Sequence, residues 1–381
     1  MVAKENKLIY QETNPYGSLV AFLEDDGRTV YLYLQSIHNP EMKMRSVWVK
    51  NRIPAPISRS ESDLRNGLAP ILCQEELTLD SEIDEILEKD LYLIWTEDGN
   101  GVGIFVKEVL LAFLPSYSGI KDFHGYSRYA KVETLTTHPL GTGEVSAIHN
   151  LMNESKRFWE IRAEKNTWKT IQSKLLSLYE SKLGKHTMYW SADGGKFPHL
   201  AIAKFEPESM NGIQVYVTLG MSAQNMPSVD LYYKDFEKYS RIEMIMAVNS
   251  EDHKADQWVP HAIGEIIKFP WVMCKWFGEG HTMTLPRKDP DAVLVDFTHI
   301  FFTASPGETS LQDKLFSPPF LGEENSFDDK TFKLLYLIPI SEEETHILKT
   351  HGSNELKEMI HSSGNGWIHF SERQSYLNYL N

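Results

Sequence analysis

The sequence predicts an α+β protein of two domains, a β-rich N-terminal domain over residues 1–145 and an α/β sandwich on a mixed sheet over residues 146–381. Three observations carry this. Short runs of alternating apolar and polar residues, joined by Asp-Gly and Gly-rich turns, fill the first part of the chain. Beyond the turn-forming cluster Pro139-Leu140-Gly141-Thr142-Gly143 the apolar spacing changes to that of helices. Helices and strands then interleave, without the regular alternation of a doubly wound parallel sheet. A length of 381 residues, with 41% hydrophobic and 24% charged residues, allows two proper cores.

In chain order, residues 19–23 and 29–34 flank Asp25-Asp26-Gly27 as a hairpin, and residues 46–50 alternate before Pro54-Ala55-Pro56. Ser81 is the N-cap expected for an acidic helix over residues 81–89, with Asp84 at its third position. Glu82, Glu85 and Glu88 on that helix have the spacing of a solvated face, and no histidine joins them as a metal ligand. Residues 91–95 and 102–106 flank Asp98-Gly99-Asn100-Gly101. The Gly99-x-Gly101-x-Gly103 pattern imitates a phosphate loop, but Ile104-Phe105-Val106 continues as a strand where phosphate binding needs a helix N-terminus. A hairpin turn is expected there. The aromatic stretch 115–119 and 123–129 reads either as a binding surface or as a loop packed on its own domain.

Residues 151–163 and 167–183 have helical spacing, the second with a stripe of Trp168, Ile171, Leu175, Leu178 and Tyr179, and Gly184 stops it. Strands are expected at 186–191, 199–205 and 214–219. A buried helix over 258–269 should break at Pro270. Ser341 and Glu344 form a capping box that opens a helix over 342–350, and Ser353 opens another over 354–361.

The segment Ile213-Gln-Val-Tyr-Val-Thr-Leu-Gly-Met-Ser222 runs a strand into a glycine turn that presents Met221 and Ser222. One chemical reading is a serine hydrolase, with Ser222 at a degenerate nucleophile elbow. The elbow pattern Gly-x-Ser-x-Gly is met by Gly220, but Gln224 occupies the second small position and Asn225-Met226-Pro227-Ser228 reads as a loop instead of a helix. His281, His299 and His346 follow, none in a context that marks a base. The other reading makes Ser222 structural, orienting the loop through a side-chain-to-backbone hydrogen bond.

Further pieces follow Thr218-Leu219-Gly220-Met221-Ser222 in order: 241–247, the apolar run 258–277 closed by Gly278-Glu279-Gly280-His281, Phe297–Phe302, 334–341 with Glu342-Glu343-Glu344, and a terminal Gly366-Trp367-Ile368-His369-Phe370-Ser371-Glu372-Arg373. This order resembles the bacterial Suppressor-of-fused-like family, over roughly residues 150–381. The resemblance implies a protein that binds partners and catalyses nothing. Animal members sequester a transcription factor by clamping an extended peptide, and bacterial members resemble immunity proteins that neutralise polymorphic toxins. It implies no cofactor. The loop after Ser222 departs from the animal pattern. The resemblance puts a peptide-holding surface beside strand 213–219, so a protein partner is expected near Tyr216, Met221 and Asp230. On strand alternation Tyr216 shares a face with Gln214 and Thr218, opposite Val215 and Val217, which places it outside the core.

A formal charge of −15, with both halves of the chain acidic, excludes duplex nucleic acid as partner, because that binding needs phosphate-neutralising Lys and Arg. It suits a basic toxin domain, although solubility alone also accounts for it. The run 263–277 is interrupted by Glu265, Lys268, Pro270 and Lys275 and is too short and charged to span a bilayer; Met1–Lys7 has no apolar core of a signal peptide. A cytoplasmic protein is expected. Cys73 and Cys274 are too few for a zinc cluster, and Cys274, among Trp271, Val272, Met273 and Trp276, reads as a buried hydrophobe. Fourteen histidines include no His-Glu-x-x-His, and His346 and His351 lie five apart across a helix end.

Overall fold

The computed structural model describes residues 6–78, 88–140, 142–285, 297–304 and 331–379. The expected helix over 81–89 lies largely outside them; its described end, Glu88–Asp90, is a single 3-10 turn.

The first hairpin is closed by aspartate chemistry. Asp25 accepts the amide of Gly27, Asp26 accepts those of Arg28 and Thr29, and Gly27 takes φ 82°. This turn joins β2 (Leu19–Asp25) to β3 (Thr29–Ser36), and β1 (Lys7–Thr13) and β4 (Arg45–Asn51) extend them into an antiparallel sheet ordered β1-β2-β3-β4. Ser60 then caps the short helix α1 (Glu61–Arg65). The second hairpin pairs β5 (Leu91–Trp95) with β6 (Val102–Val106) across Gly99, so the glycine pattern there is a turn. β7 (Val109–Leu114), β8 (Tyr126–Ser127) and β9 (His138–Pro139) complete a five-stranded sheet. The aromatic stretch packs on its own domain: the Phe123 ring lies 5.2 Å from Tyr117 and Tyr126 and 4.7 Å from His138.

Contacts divide the chain into two compact units, Met1–Glu164 with Trp271–Cys274, and Lys165–Pro270 with Lys275–Asn381. Helix α2 (Thr142–Ala163) belongs to the first, where Met152 is buried and the Trp159 indole donates to the Trp95 carbonyl at 2.8 Å. The four-residue insert from far along the chain is well anchored in that unit. Trp271 stacks on Tyr16 at 5.9 Å, the Met273 carbonyl accepts from Asn39 at 2.9 Å, and Cys274 is buried in the core with Leu19, Leu32 and Trp48. Burial pushes the Cys274 thiol up to about 11.

The second unit opens with α3 (Thr167–Leu183), which buries Ile171, Leu175, Tyr179 and Leu183 and ends at Gly184 with φ 80°. Its eight-stranded sheet runs β10 (His186–Ser191), β11 (Ala201–Phe205), β12 (Ile213–Leu219), β13 (Ile242–Asn249), β16 (Lys333–Ile340), β15 (His299–Thr303) and β14 (Thr282–Thr284), with β17 (Ile368–His369) beside β13. β13 pairs parallel with β16 and β17 and antiparallel with β12, so the sheet is mixed, in the α+β architecture expected. Val215, Val217 and Leu219 pack with the α3 stripe and with Leu356, Met359 and Ile360. The other side of β12 is covered by α4 (Ala255–Ile266), which carries Pro260 inside it. The helix ends before Pro270, which sits in the first turn of α5 (Phe269–Met273), where its missing N–H is harmless.

Both arms of the capping box at the start of α6 (Glu342–His351) form: Glu344 N donates to Ser341 Oγ at 3.1 Å, and Ser341 N to Glu344 Oε2 at 2.9 Å. α7 (Ser353–Ser362) starts one residue earlier than expected. Glu344 is fully buried and also accepts two nitrogens of Arg373, at 2.8 and 2.7 Å, and the Tyr376 amide at 2.7 Å. The guanidinium lies 4.6 Å from the Phe297 ring centre and 3.6 Å from that of Tyr376. Removing the cation strands a buried carboxylate, so Arg373→Ala is expected to lower the unfolding free energy by about 3–5 kcal/mol. Denaturant titration measures it, and an unchanged midpoint would show that the amides and hydroxyls around Glu344 suffice without the cation.

Candidate functional site

β12 ends at Leu219 because the next residue turns out of the ladder. Gly220 has φ 103°, and a Cβ there would stand 2.4 Å from the His199 carbonyl oxygen and 2.9 Å from the Trp168 ring. Only glycine fits. The turn aims the amides of Gly220 and Ser222 at the neighbouring strand β13, which supplies the carboxylate of Glu243. Oε1 accepts Gly220 N and Ser222 N, each at 2.9 Å, and Ser222 Oγ at 2.6 Å; Oε2 accepts Thr218 Oγ1 at 2.6 Å. Each defined position of the Thr-x-Gly-x-Ser spacing thus delivers a donor to one acceptor. Glu243 is fully buried, which pushes its carboxyl up to about 7 against the opposing effect of those donors.

Ser222 is fully buried, and its hydroxyl donates to a carboxylate, not to an imidazole. That arrangement gives the serine an acceptor but no general base of the hydrolase kind. The expected side-chain-to-backbone bond is replaced by this contact to Glu243, because β13 brings an acceptor that local sequence does not contain. The backbone beyond is held as well: Arg241 Nη1 donates to the Ser222 carbonyl at 2.7 Å, and Gln224 Nε2 to the Gly220 carbonyl at 2.6 Å.

The loop released by this clasp is tied to the segment leading into β13 through Met226 N, which donates to the Ser240 carbonyl at 2.7 Å. Its outer surface exposes Asp230, Leu231 and Tyr232, the tyrosine by 67%. Tyr232 lies 5.3 Å from Trp276, Tyr233 stacks on Tyr239 at 4.2 Å and meets Trp276 edge-on, and Lys333 Nζ sits 3.7 Å from the Tyr239 ring centre. Aromatic side chains clustered at a surface supply large, rigid contact area.

Of the three residues expected to meet a partner, Asp230 is exposed but Tyr216 and Met221 are not. Both are fully buried. Alternation places Tyr216 on the face opposite Val215 and Val217, as read, but α4 covers that face too. The Tyr216 hydroxyl donates to Asp256 Oδ1 at 2.5 Å, and Lys204 Nζ lies 2.9 Å from both Asp256 and Glu206. Burial first, then the Asp256 carboxylate, pushes the phenol far above its ordinary value. Met221 lies beneath the turn it was expected to crown. The loop's aromatic cluster escaped the sequence reading because Trp276 is distant in sequence from Tyr232 and Tyr233. Glu243 had a signal, a lone acid in the apolar run Ile242-Glu243-Met244-Ile245-Met246, which demands a partner when buried.

Among the described residues no group of three or more His, Cys, Asp or Glu is gathered as metal ligands, and no helix is long and apolar enough to cross a membrane. Residues 196–374 match the family model of the Suppressor of fused protein (SUFU). The C-terminal part of the chain carries a SUFU domain. A curated relative, the immunity protein YqcF of Bacillus subtilis (strain 168), is 25% identical over 198 residues, 51% of this chain and 89% of its own length. Among solved structures, a SUFU homolog from Neisseria gonorrhoeae FA 1090 is similar over 55% of this chain and 97% of its own, at 15% identity and TM-score 0.35. A Sufu-Fu complex structure is similar over 55% of this chain and 92% of its own, at 10% identity and TM-score 0.39.

The clasp makes a pH prediction. Glu243's folded value of about 7 exceeds the ordinary 4.5, so the folded state holds the proton more tightly; the stability this contributes is full below pH 4.5 and is lost as pH rises through about 7. Glu243→Gln, which does not titrate, should therefore show a flatter unfolding free energy across that window than the parent. Equal slopes in denaturant titrations would show that the carboxyl's ionisation is not coupled to folding. Ser222→Ala should cost about 1–3 kcal/mol, the range for a hydrogen bond to an ionisable buried partner.

Proposed function

We propose that this chain is a non-enzymatic, protein-binding immunity protein that holds a basic toxin domain. The observation that carries the reading is the closed clasp around Glu243. The one serine whose sequence context imitates a nucleophile is sealed and hydrogen-bonded to a carboxylate, while the loop that it anchors presents Asp230, Leu231 and Tyr232 outward. Such a site offers a surface, not a reaction centre. The SUFU domain and the name of the B. subtilis relative point the same way.

In this reading the partner docks on the loop at Asp230, with the Tyr232–Trp276 cluster as its apolar anchor. Tyr216 and Met221 act from beneath, fixing the strand and turn from which the loop springs. The formal charge of −15 draws a basic domain towards the surface, and the protein works in the cytoplasm, where no disulfide joins Cys73 to Cys274.

The test is binding kinetics against toxin domains encoded beside the gene. Raising salt from low to physiological strength should slow association, and Asp230→Lys should slow it further. Tyr232→Ala should act on dissociation, weakening the complex by about 2 kcal/mol or more, as removal of an aromatic anchor does. Ser222→Ala should retain binding. Association indifferent to salt, with affinity indifferent to Tyr232, would remove the partner from this loop.

A further inference from the structure

One face of α4 is left open by the fold. Asp256, Pro260 and Gly264 recur every four residues, so they share one side of the helix. Together with Trp190 of β10 and Ile202 of β11 they line a groove of ≈ 320 Å³. That volume is at the small end of ligand sites, about enough for one long side chain.

Gly264 is the unexplained residue. It lies inside a helix, where glycine is the poorest choice after proline. Its φ is not positive, and no atom lies within 4 Å of the point where a Cβ would stand. Other described glycines have a reason to be glycine: Gly184 has φ 80°, and a Cβ on Gly103 would meet Met152 Sδ at 2.7 Å. At position 264 nothing within the chain forbids a side chain, and the thing that its absence preserves is the groove. One turn earlier Pro260 removes the N–H that would satisfy the Asp256 carbonyl. Two residues that weaken the helix therefore line the same opening.

The chemistry of the walls selects a cation. Asp256 and Glu265 line the groove beside His261, and the ammonium nearest Asp256, Lys204, has a side chain only 5% exposed and is already bound to Asp256 and to Glu206 behind it. Asp256 keeps 37% of its side chain exposed. Trp190, half-buried and 6.0 Å from the Tyr216 ring, supplies an aromatic wall to the same groove. A flat cation with several donors, stacking on an aromatic ring and reaching carboxylate and carbonyl oxygens, fits this set better than a compact ammonium.

We propose that the α4 groove receives an arginine side chain of the protein partner, an inference that rests on the protein-binding reading and adds a second anchor to it. The probe is acetyl-arginine-amide, titrated into the full chain with acetyl-glutamate-amide as control, while the Trp190 indole N–H is followed by NMR and assigned through Trp190→Phe. A saturable shift is expected with the arginine compound alone, weakening with salt. Gly264→Gln fills the groove on a better helix former, so it should raise the melting temperature by about 2–4 °C, abolish the shift and weaken partner binding about tenfold. Should glutamine fail to fit, Gly264→Ala supplies the same rise while leaving the groove open to arginine. No shift of Trp190 with arginine, or arginine and partner binding to Gly264→Gln as to the parent, overturns the proposal. A partner that binds the parent and Gly264→Gln alike leaves the immunity reading standing without the groove; an arginine-binding groove on a chain that binds no toxin does the reverse.

Discussion

A carboxylate buried without a cation must be surrounded by donors or stay protonated, and Glu243 imposes that constraint on everything near it. Its donors come from one five-residue segment, Thr218 to Ser222, so one acceptor sets the end of β12, the glycine turn and the heading of the loop beyond. Gly220 satisfies the steric half of the constraint and the two hydroxyls satisfy the polar half. The loop's outward residues are placed by an interaction that no partner can touch.

Glu344, the other fully buried acid among the described residues of this unit, meets the same problem differently. Glu344 has Arg373 beside it, and although burial opposes, the guanidinium and the amides of Ser341 and Tyr376 hold its carboxyl below the ordinary range. Glu243 has neutral donors only and is driven upward. One acid therefore joins distant segments as a charged pair, whereas the other organises a turn as a proton-sensitive knot.

Local chemistry made much of the fold legible before any coordinates. The Asp25-Asp26-Gly27 turn, the β5–β6 hairpin, the bounds of α3 and the Ser341–Glu344 box each depend on residues a few positions apart, and each formed as read. β7 was missed because Val109–Leu114 is apolar throughout and shows no alternation to mark a strand. Tyr216 was placed on its correct face but judged exposed, because alternation shows which residues share a side and not whether a helix covers it. Lys204 and Tyr216 beneath α4 are polar yet buried, a combination that reads as solvent-facing in one dimension. The clasp was half legible: Thr218, Gly220 and Ser222 stood out as a signature, but the acceptor that explains them is on another strand.

The Trp271–Cys274 insert has a bearing on how the molecule is made. The first unit comprises residues up to Glu164 and these four, and Trp271 and Cys274 are part of its buried interior. A chain leaving the ribosome from its N-terminus presents both β-sheets of that unit long before Trp271 exists. Until then the ring of Tyr16 lacks its stacking partner and the Asn39 amide lacks the Met273 carbonyl. Synthesis therefore passes through a period in which the N-terminal sheets are present with their interior incomplete, and the unit that comes first in sequence is finished only after more than a hundred residues of the second have been made.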